Sequence, residues 1–95
     1  MDTIYLLRGI TFRWHVNKAR ANVAKHGVTF EEAAEALLDP YGSGGDASSG
    51  YEEREFYLGH SFRERLLLVV YTERSDTIRL ISARLPTRVE RKMYE

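Results

Sequence analysis

Arginine is frequent near the ends of the strands predicted in the second half of the chain, and these side chains are the first candidates for chemistry. The guanidinium group stays charged at physiological pH and binds phosphate oxygens through two parallel hydrogen bonds. Several such groups on one sheet face would suit an RNA backbone and the extra charge of a pentavalent phosphorus transition state. The candidates on this reasoning are Arg54, Arg74, Arg79, Arg84 and Arg88.

The spacing of two of these arginines bears on the hypothesis. Arg79 and Arg84 fall in one predicted strand with an odd separation. Regular alternation therefore puts them on opposite faces of the sheet. The competing interpretation is that each arginine is a surface residue paired with a nearby carboxylate, such as Glu52 or Glu73. Such pairs are common on protein surfaces and indicate no function.

Proton transfer would need a different kind of residue. Lys25 and His26 stand in the last turn of a predicted helix, and histidine is the usual general acid or base near neutral pH. Tyr94 could donate a proton or stack on a base. The alternatives are that Lys25 and His26 are an ordinary charged helix end and that Tyr94 is a packing residue.

Several other classes of site lack the residues they need. The chain has no cysteine, which excludes a disulfide framework and a cysteine-ligated zinc site. His15, His26 and His60 do not have the spacing of metal ligands, and no nucleotide-binding fingerprint is present. We therefore predict no metal and no cofactor. With no long apolar segment, we also expect no membrane partner and a cytoplasmic location.

The zero net charge conceals an uneven distribution along the chain. Residues 1–30 carry five Lys and Arg against Asp2 alone, whereas residues 31–60 carry eight Asp and Glu against Arg54 alone. Residues 79–95 are basic again, with five cations against two carboxylates. If the two ends meet, they form a basic face that attracts an anionic partner. The alternative is an ordinary surface of mixed charge.

The order of predicted elements indicates one α+β domain over residues 1–95. The segment 3–14 reads as one bulged strand or two short strands, and Gly27 separates a helix at 16–26 from a second helix that Thr29 caps. Residues 41–51 are predicted to be a flexible loop because glycine and serine dominate them. Strands follow at 53–61, 66–74 and 77–85, and a capping box of Thr87 with Glu90 starts a last short helix.

This order, β-α-α-β-β-β-α, predicts a two-layer sandwich with an antiparallel meander. The helices are expected on one face of the sheet, which leaves the other face available for a ligand. The last helix has only about two turns and must dock on something to be stable. It could also be displaced or exchanged between subunits.

Two separated blocks of sequence resemble the BrnT family of toxins. The first holds Phe12-Arg13-Trp14, Lys18, Asn22 and the run from Lys25 to Ala33, KHGVTFEEA. The second holds Glu53-Arg54, Gly59, Val69 to Arg74, Ile78-Arg79, Ile81 to Arg84, Thr87-Arg88, Glu90-Arg91 and Tyr94-Glu95. His15 stands where the family usually has an acidic residue, and about ten residues precede the match.

The resemblance implies a RelE-like fold, RNA cleavage and inhibition of translation. It also implies a cognate BrnA-like antitoxin with a ribbon-helix-helix DNA-binding fold, in a homodimer or a 2:2 toxin–antitoxin complex. We therefore predict a metal-independent endoribonuclease, with catalytic residues Lys25, His26, Arg54, Arg74, Arg84 and Tyr94 and RNA-binding residues Arg79, Arg88 and Lys18. The alternative is a non-catalytic module that binds RNA or a protein through the same basic face.

Overall fold

The computed structural model describes residues 1–94 and contains one mixed sheet of six strands. The strands are β1 (Asp2–Leu7), β2 (Ile10–His15), β3 (Ser43–Asp46), β4 (Glu55–His60), β5 (Leu66–Arg74) and β6 (Thr77–Arg84). The helices are α1 (Val16–His26), α2 (Phe30–Ala36) and α3 (Arg88–Arg91), followed by a 3₁₀ turn at Lys92–Tyr94. The order across the sheet is β1-β2-β6-β5-β4-β3. Only the β2–β6 pair is parallel. Within residues 1–94, no helix has the length and apolar content needed to cross a membrane.

The first predicted strand is a hairpin of two strands. Arg8 and Gly9 have φ angles of 50° and 81°, the left-handed backbone that two-residue hairpin turns require. β1 and β2 pair along their whole length, from Leu7 with Ile10 to Asp2 with His15. At the end of β2, His15 Nδ1 accepts a hydrogen bond of 3.0 Å from the Asn17 amide and so caps α1.

The glycine-rich segment predicted as a flexible loop contains β3, so this part of the prediction is wrong. β3 pairs with β4, where aromatic rings lie against its backbone. A Cβ atom at Gly45 would be 2.7 Å from Cε2 of Phe56, and one at Gly42 would overlap the Tyr57 ring. These glycines therefore permit close packing. The chain order is β-β-α-α-β-β-β-β-α, with two more strands than the sequence suggested.

Helices α1 and α2 cover one face of the sheet and form the main core with it. This helix face buries aromatic side chains of β2 against aliphatic side chains of the central strands. The core cluster holds Phe12, Trp14, Val28, Phe30, Ala33, Ala34, Ala36, Leu67, Val69, Leu80 and Ala83. Burial of this apolar surface supplies the main driving force for folding.

A single buried amide joins α1 to the sheet. β2 pairs with β6 only at residues 77–79, so the backbone of β6 is unpaired on that side further along. Asn22 of α1 takes the place of a strand there. Its Oδ1 accepts from the Ala83 N–H (3.1 Å), and its Nδ2 donates to the carbonyls of Ala83 (2.8 Å) and Val28 (2.9 Å). All three backbone groups are thereby satisfied inside the protein.

Thr29 caps the start of α2 as predicted, but Glu32, three residues further on, does not complete a capping box. The Thr29 hydroxyl accepts from the Glu32 amide at 3.1 Å. The Glu32 carboxylate instead accepts from Arg65 Nε (2.9 Å) and the Ser61 hydroxyl (2.8 Å). The hydrogen bond from Arg65 lowers the pKa of this buried carboxyl. Glu32 therefore anchors α2 to the turn between β4 and β5.

A bulge in β6 changes which side chains share a face. Val70 is opposite Ser82 but Tyr71 is opposite Leu80, so Ile81 is an extra residue in β6. Alternation along β6 consequently shifts by one residue. Arg79 and Arg84 therefore lie on the same face, which we call the open face because α1 and α2 pack on the other one. The prediction that they lie on opposite faces is wrong.

The open face is not fully uncovered, because residues 88–94 pack on part of it. We call this segment the C-terminal strap. Tyr94 packs against a small apolar cluster of Leu58, Leu66 and Leu68, on the side of the sheet opposite the buried Leu67. The expectation that all helices lie on one face is therefore wrong, because these leucines also need cover. The Thr87–Glu90 capping box is present as predicted.

Replacing Asn22 with alanine should lower the free energy of unfolding by about 2–3 kcal/mol, because the Ala83 and Val28 backbone groups lose their partners. Urea unfolding followed by Trp14 fluorescence measures this. Asn17→Ala, at an exposed position of the same helix, is the matched control and should change stability by less than about 0.5 kcal/mol. Equal losses in both variants would contradict the assigned role.

The strap should confer a pH dependence through Glu90. The hydrogen bond from Arg84 lowers the Glu90 pKa from 4.5 to about 2. Its stabilisation is therefore complete above the unfolded value and is lost as pH falls from about 4.5 to about 2. Because the pair is partly exposed, it contributes less than about 1 kcal/mol.

Unfolding of the wild type and of Glu90→Gln over this pH range measures that contribution. The stability difference should shrink as the pH falls, since glutamine does not titrate. Glu31→Gln, which removes an exposed carboxylate elsewhere, controls for net charge. Parallel pH profiles for the wild type and Glu90→Gln would refute the linkage.

Candidate nucleic-acid interface

A groove of about 800 Å³ crosses the sheet where β5 ends and β6 begins. We call it the sheet-face groove. The ends of β5 and β6, the segment from β3 to β4 and the first turn of α1 form its walls. Parts of the chain that are distant in sequence therefore meet here, as a binding site for an extended ligand requires.

Four of the predicted side chains lie in this groove. They are Lys18, Arg54, Arg74 and Arg79. Each comes from a different region: α1, the segment before β4, the end of β5 and the start of β6. The convergence of arginines predicted from the sequence is found for this subset.

The groove is not the uniformly basic face that the charge distribution suggested. Carboxylates line it together with the cations, and they are Asp46, Glu52, Glu53, Glu55 and Glu73. These five acidic groups outnumber the four basic ones. The difference arises because the acidic middle of the chain folds against the same groove as its basic ends.

The arginines differ in how far their charges are already paired. Arg54 contacts Glu52 at 2.8 Å and Arg79 contacts Asp2 at 2.6 Å. Both arginine side chains remain about one-third exposed, so solvent screens these pairs. Arg74 is exposed and has no ion pair within 4.0 Å among residues 1–94. Its guanidinium is therefore the one most available to an anionic ligand.

Arg84 lies on the open face but outside the groove. It binds both carboxylate oxygens of Glu90, at 2.8 and 2.9 Å, and donates to the Leu85 carbonyl at 3.2 Å. The hydrogen bond to Glu90 raises the pKa of Arg84. In this structure Arg84 therefore fixes the beginning of the strap to β6.

Tyr94 fixes the other end of the strap. Its hydroxyl donates to Asp39 Oδ2 at 2.6 Å, and its ring meets the His60 ring edge-on at 4.6 Å between centroids. The hydrogen bond to Asp39 raises the pKa of Tyr94 to about 12. Burial alone would raise the pKa of Asp39, but hydrogen bonds from Tyr94 and the His60 amide outweigh it and lower that pKa.

The structure does not bring the remaining candidates into the groove. Lys25 and His26 end α1, whereas Lys18 lies in its first turn, so they are about 10–12 Å further along the helix axis. Arg88 opens α3 in the strap. Within residues 1–94, no cluster of three or more His, Asp or Glu side chains is arranged to hold a metal ion.

Two residues near the groove were not predicted as site residues from the sequence. Arg13 pairs with Arg79 across β2 and β6, so the two share the open face. Alternation with the buried Phe12 and Trp14 could have identified Arg13. Tyr51 lines the groove beside Arg54 and is fully exposed, a placement suited to stacking on a base. No local signal distinguishes it from other loop tyrosines.

Comparison with a solved structure identifies a related fold. The crystal structure of the Brucella abortus ribonuclease toxin BrnT, determined at 1.1 Å resolution, superposes with a TM-score of 0.58. The match covers 79% of this chain and 94% of that chain, with 20% sequence identity. At this identity the likeness concerns the fold. A search of curated proteins finds no significant match.

A family model identifies the sequence signature over most of the chain. The model describes the ribonuclease toxin BrnT of type II toxin–antitoxin systems, and it matches residues 14–90. The matched region includes α1, α2, the meander and the first part of the strap. The chain therefore belongs to the BrnT family of ribonuclease toxins.

Proposed function

We propose that this chain is a metal-independent endoribonuclease that cleaves RNA bound in the sheet-face groove. The observation that carries the proposal is the convergence of Lys18, Arg54, Arg74 and Arg79 in one groove. Membership of a ribonuclease toxin family supports RNA as the substrate. The exposed ring of Tyr51 adds a surface on which a base can stack.

In this proposal, the ribose 2′-hydroxyl attacks the adjacent phosphorus atom. The bond from phosphorus to the 5′-oxygen breaks, which leaves a 2′,3′-cyclic phosphate and a free 5′-hydroxyl. Arg74 and Arg79, with Arg54, supply positive charge to the developing phosphorane oxygens. Three guanidinium groups can provide the electrostatic stabilisation that a metal ion gives in other nucleases.

The 2′-hydroxyl proton must pass to a base, and the leaving 5′-oxygen takes up a proton from that protonated base or from water. The proton acceptors within the groove are carboxylates such as Glu53, so we assign proton removal to this acidic wall. Lys25 and His26 lie too far along α1 to share the groove. In this proposal Arg84 and Tyr94 act as positioning residues because they hold the two ends of the strap.

The cellular role follows from the family. A type II toxin is paired with a protein antitoxin, and we propose a BrnA-like ribbon-helix-helix partner, assembled as a 2:2 complex. RNA cleavage in the cytoplasm would inhibit translation and arrest growth. The positively charged part of the groove would then be the surface that the antitoxin must block.

Purified protein should cleave single-stranded RNA in the presence of EDTA and leave cyclic phosphate ends. Mass spectrometry of the fragments identifies those ends, because they lack one water relative to a phosphomonoester. Intact RNA, tested with and without ribosomes, would refute the proposal. Fragments with 5′-phosphates would refute the mechanism.

Replacing Arg74 with glutamine should lower kcat/KM for RNA by about a hundredfold, because the arginine available to the phosphorane is lost. Arg20→Gln, at an exposed position of α1 outside the groove, is the matched control and should retain activity. Thermal unfolding checks that both variants are folded. Equal activities of the two variants would remove Arg74 from the site.

The second candidate function is a non-catalytic module that binds RNA or a protein. The five carboxylates in the groove favour a protein over RNA as the ligand of such a module, since they repel a phosphate backbone. Expression without an antitoxin separates the candidates: a nuclease arrests growth, whereas a binding module is tolerated.

A further inference from the structure

A row of polar side chains crosses the open face beside the sheet-face groove. Arg13 of β2 is the strand partner of Arg79 of β6, and Arg79 is the partner of Thr72 of β5. Direct partners on adjacent strands point to the same side of a sheet. Arg79 and Thr72 also line the groove, so the row extends the groove toward β1.

Two polar atoms in this row have no hydrogen-bond partner among residues 1–94. They are Arg13 Nε and Thr72 Oγ1, and both are shielded from solvent. Buried polar atoms are nearly always paired, so each unpaired one requires an explanation. A guanidinium donor and a hydroxyl on either side of Arg79 are groups that phosphate oxygens accept from.

The N-terminal strand places a carboxylate on this row. Asp2 Oδ2 accepts a hydrogen bond of 2.6 Å from Arg79. This hydrogen bond, together with the positive charges of Arg79 and Arg13, lowers the pKa of Asp2. Pairing of β1 with β2 holds Asp2 opposite His15, and the Val16 amide donates to the Met1 carbonyl at 3.0 Å. Backbone hydrogen bonds at the start of β1 therefore hold the Asp2 carboxylate beside Arg79.

Asp2 lies outside the part of the chain that the family model matches, which begins at residue 14. Arg79 lies inside it. Arg79 thus comes from the matched region, whereas the carboxylate that neutralises it comes, like Arg13, from the segment in front of that region. A carboxylate and a phosphodiester present similar pairs of oxygens to a guanidinium, so they compete for it.

We propose that Arg13 and Arg79 form a phosphate-binding subsite for RNA and that Asp2 occupies it as an internal competitor. RNA as the source of the phosphate rests on the proposed function. The Asp2–Arg79 pair is about one-third exposed on both sides, so an incoming phosphate can displace the carboxylate without unfolding β1. The N-terminal strand therefore lowers the affinity of the groove for RNA.

The test uses the full chain and a short fluorescein-labelled oligoribonucleotide with 2′-O-methyl groups, which cannot be cleaved by 2′-hydroxyl attack. Fluorescence anisotropy measures its Kd. Asp2→Asn should tighten binding about tenfold, because Arg79 becomes available for a charge-assisted hydrogen bond. It should also steepen the dependence of log Kd on log salt by about 0.7.

The matched control is Asp76→Asn, which makes the same charge change in the turn between β5 and β6, outside the groove. It should change Kd by less than about twofold, since solvent screens its charge. Combining Asp2→Asn with Arg79→Gln should abolish the gain. Equal effects of Asp2→Asn and Asp76→Asn, or a gain that persists with Arg79→Gln, would overturn the proposal.

Arg13→Gln gives a second measurement that leaves the Asp2–Arg79 pair in place. It should weaken binding about fivefold by removing one phosphate contact, and unchanged affinity would overturn the subsite. Amide resonances of Thr3 and Tyr5 report whether β1 stays paired in the Asp2 variant. Cleavage of unmodified RNA by the wild type tests the proposed function separately. The binding measurements can therefore refute the subsite even if the wild type cleaves RNA. A lack of cleavage would likewise refute the proposed function even if the binding measurements support the subsite.

Discussion

The position of α1 on the sheet depends most directly on the hydrogen bonds of the Asn22 side chain. β6 is a central strand, yet its parallel contact with β2 ends after residue 79. Without Asn22, the N–H and C=O of Ala83 would be buried without partners, which is costly. By replacing the missing strand, Asn22 fixes the position of α1 along the sheet. That position in turn places Lys18 at the sheet-face groove.

The bulge at Ile81 then determines which charges share the open face. A regular strand would direct Arg79 and Arg84 to opposite sides, and one of them would point into the helix-face core. The extra residue keeps Leu80 and Ala83 in that core while both arginines reach the other side. Because of this one bulge, β6 presents apolar side chains to the core along its whole length and still places both arginines on the open face.

The strap divides the open face into two regions with different roles. Its Arg84–Glu90 and Tyr94–Asp39 contacts hold the chain over three leucines that would otherwise be exposed. The region beyond the strap carries the groove and its charged side chains. Carboxylates of the chain itself pair with Arg54 and Arg79, so the groove gathers several cations in a protein whose net charge is zero.

Local sequence signals determined several elements. Residues 16–26 form α1 with Gly27 in the left-handed conformation, and residues 66–74 form β5, each with the predicted bounds. The Thr87–Glu90 capping box also formed. These features depend on residues within a few positions of one another, so their pattern is readable along the chain. The BrnT resemblance was visible in the same way, in two blocks of sequence.

Only the tertiary structure decided the rest, because contacts between distant residues set it. Gly42, Gly44 and Gly45 look flexible in the sequence, yet aromatic rings of β4 pack on them. The Ile81 bulge exists only through pairing with β5. Of the predicted site residues, Lys25 and His26 stand at the far end of α1 from the groove. Arg84 is held by a carboxylate in the strap. Residue types indicated which side chains could bind phosphate, but strand register and helix position determined which of them meet.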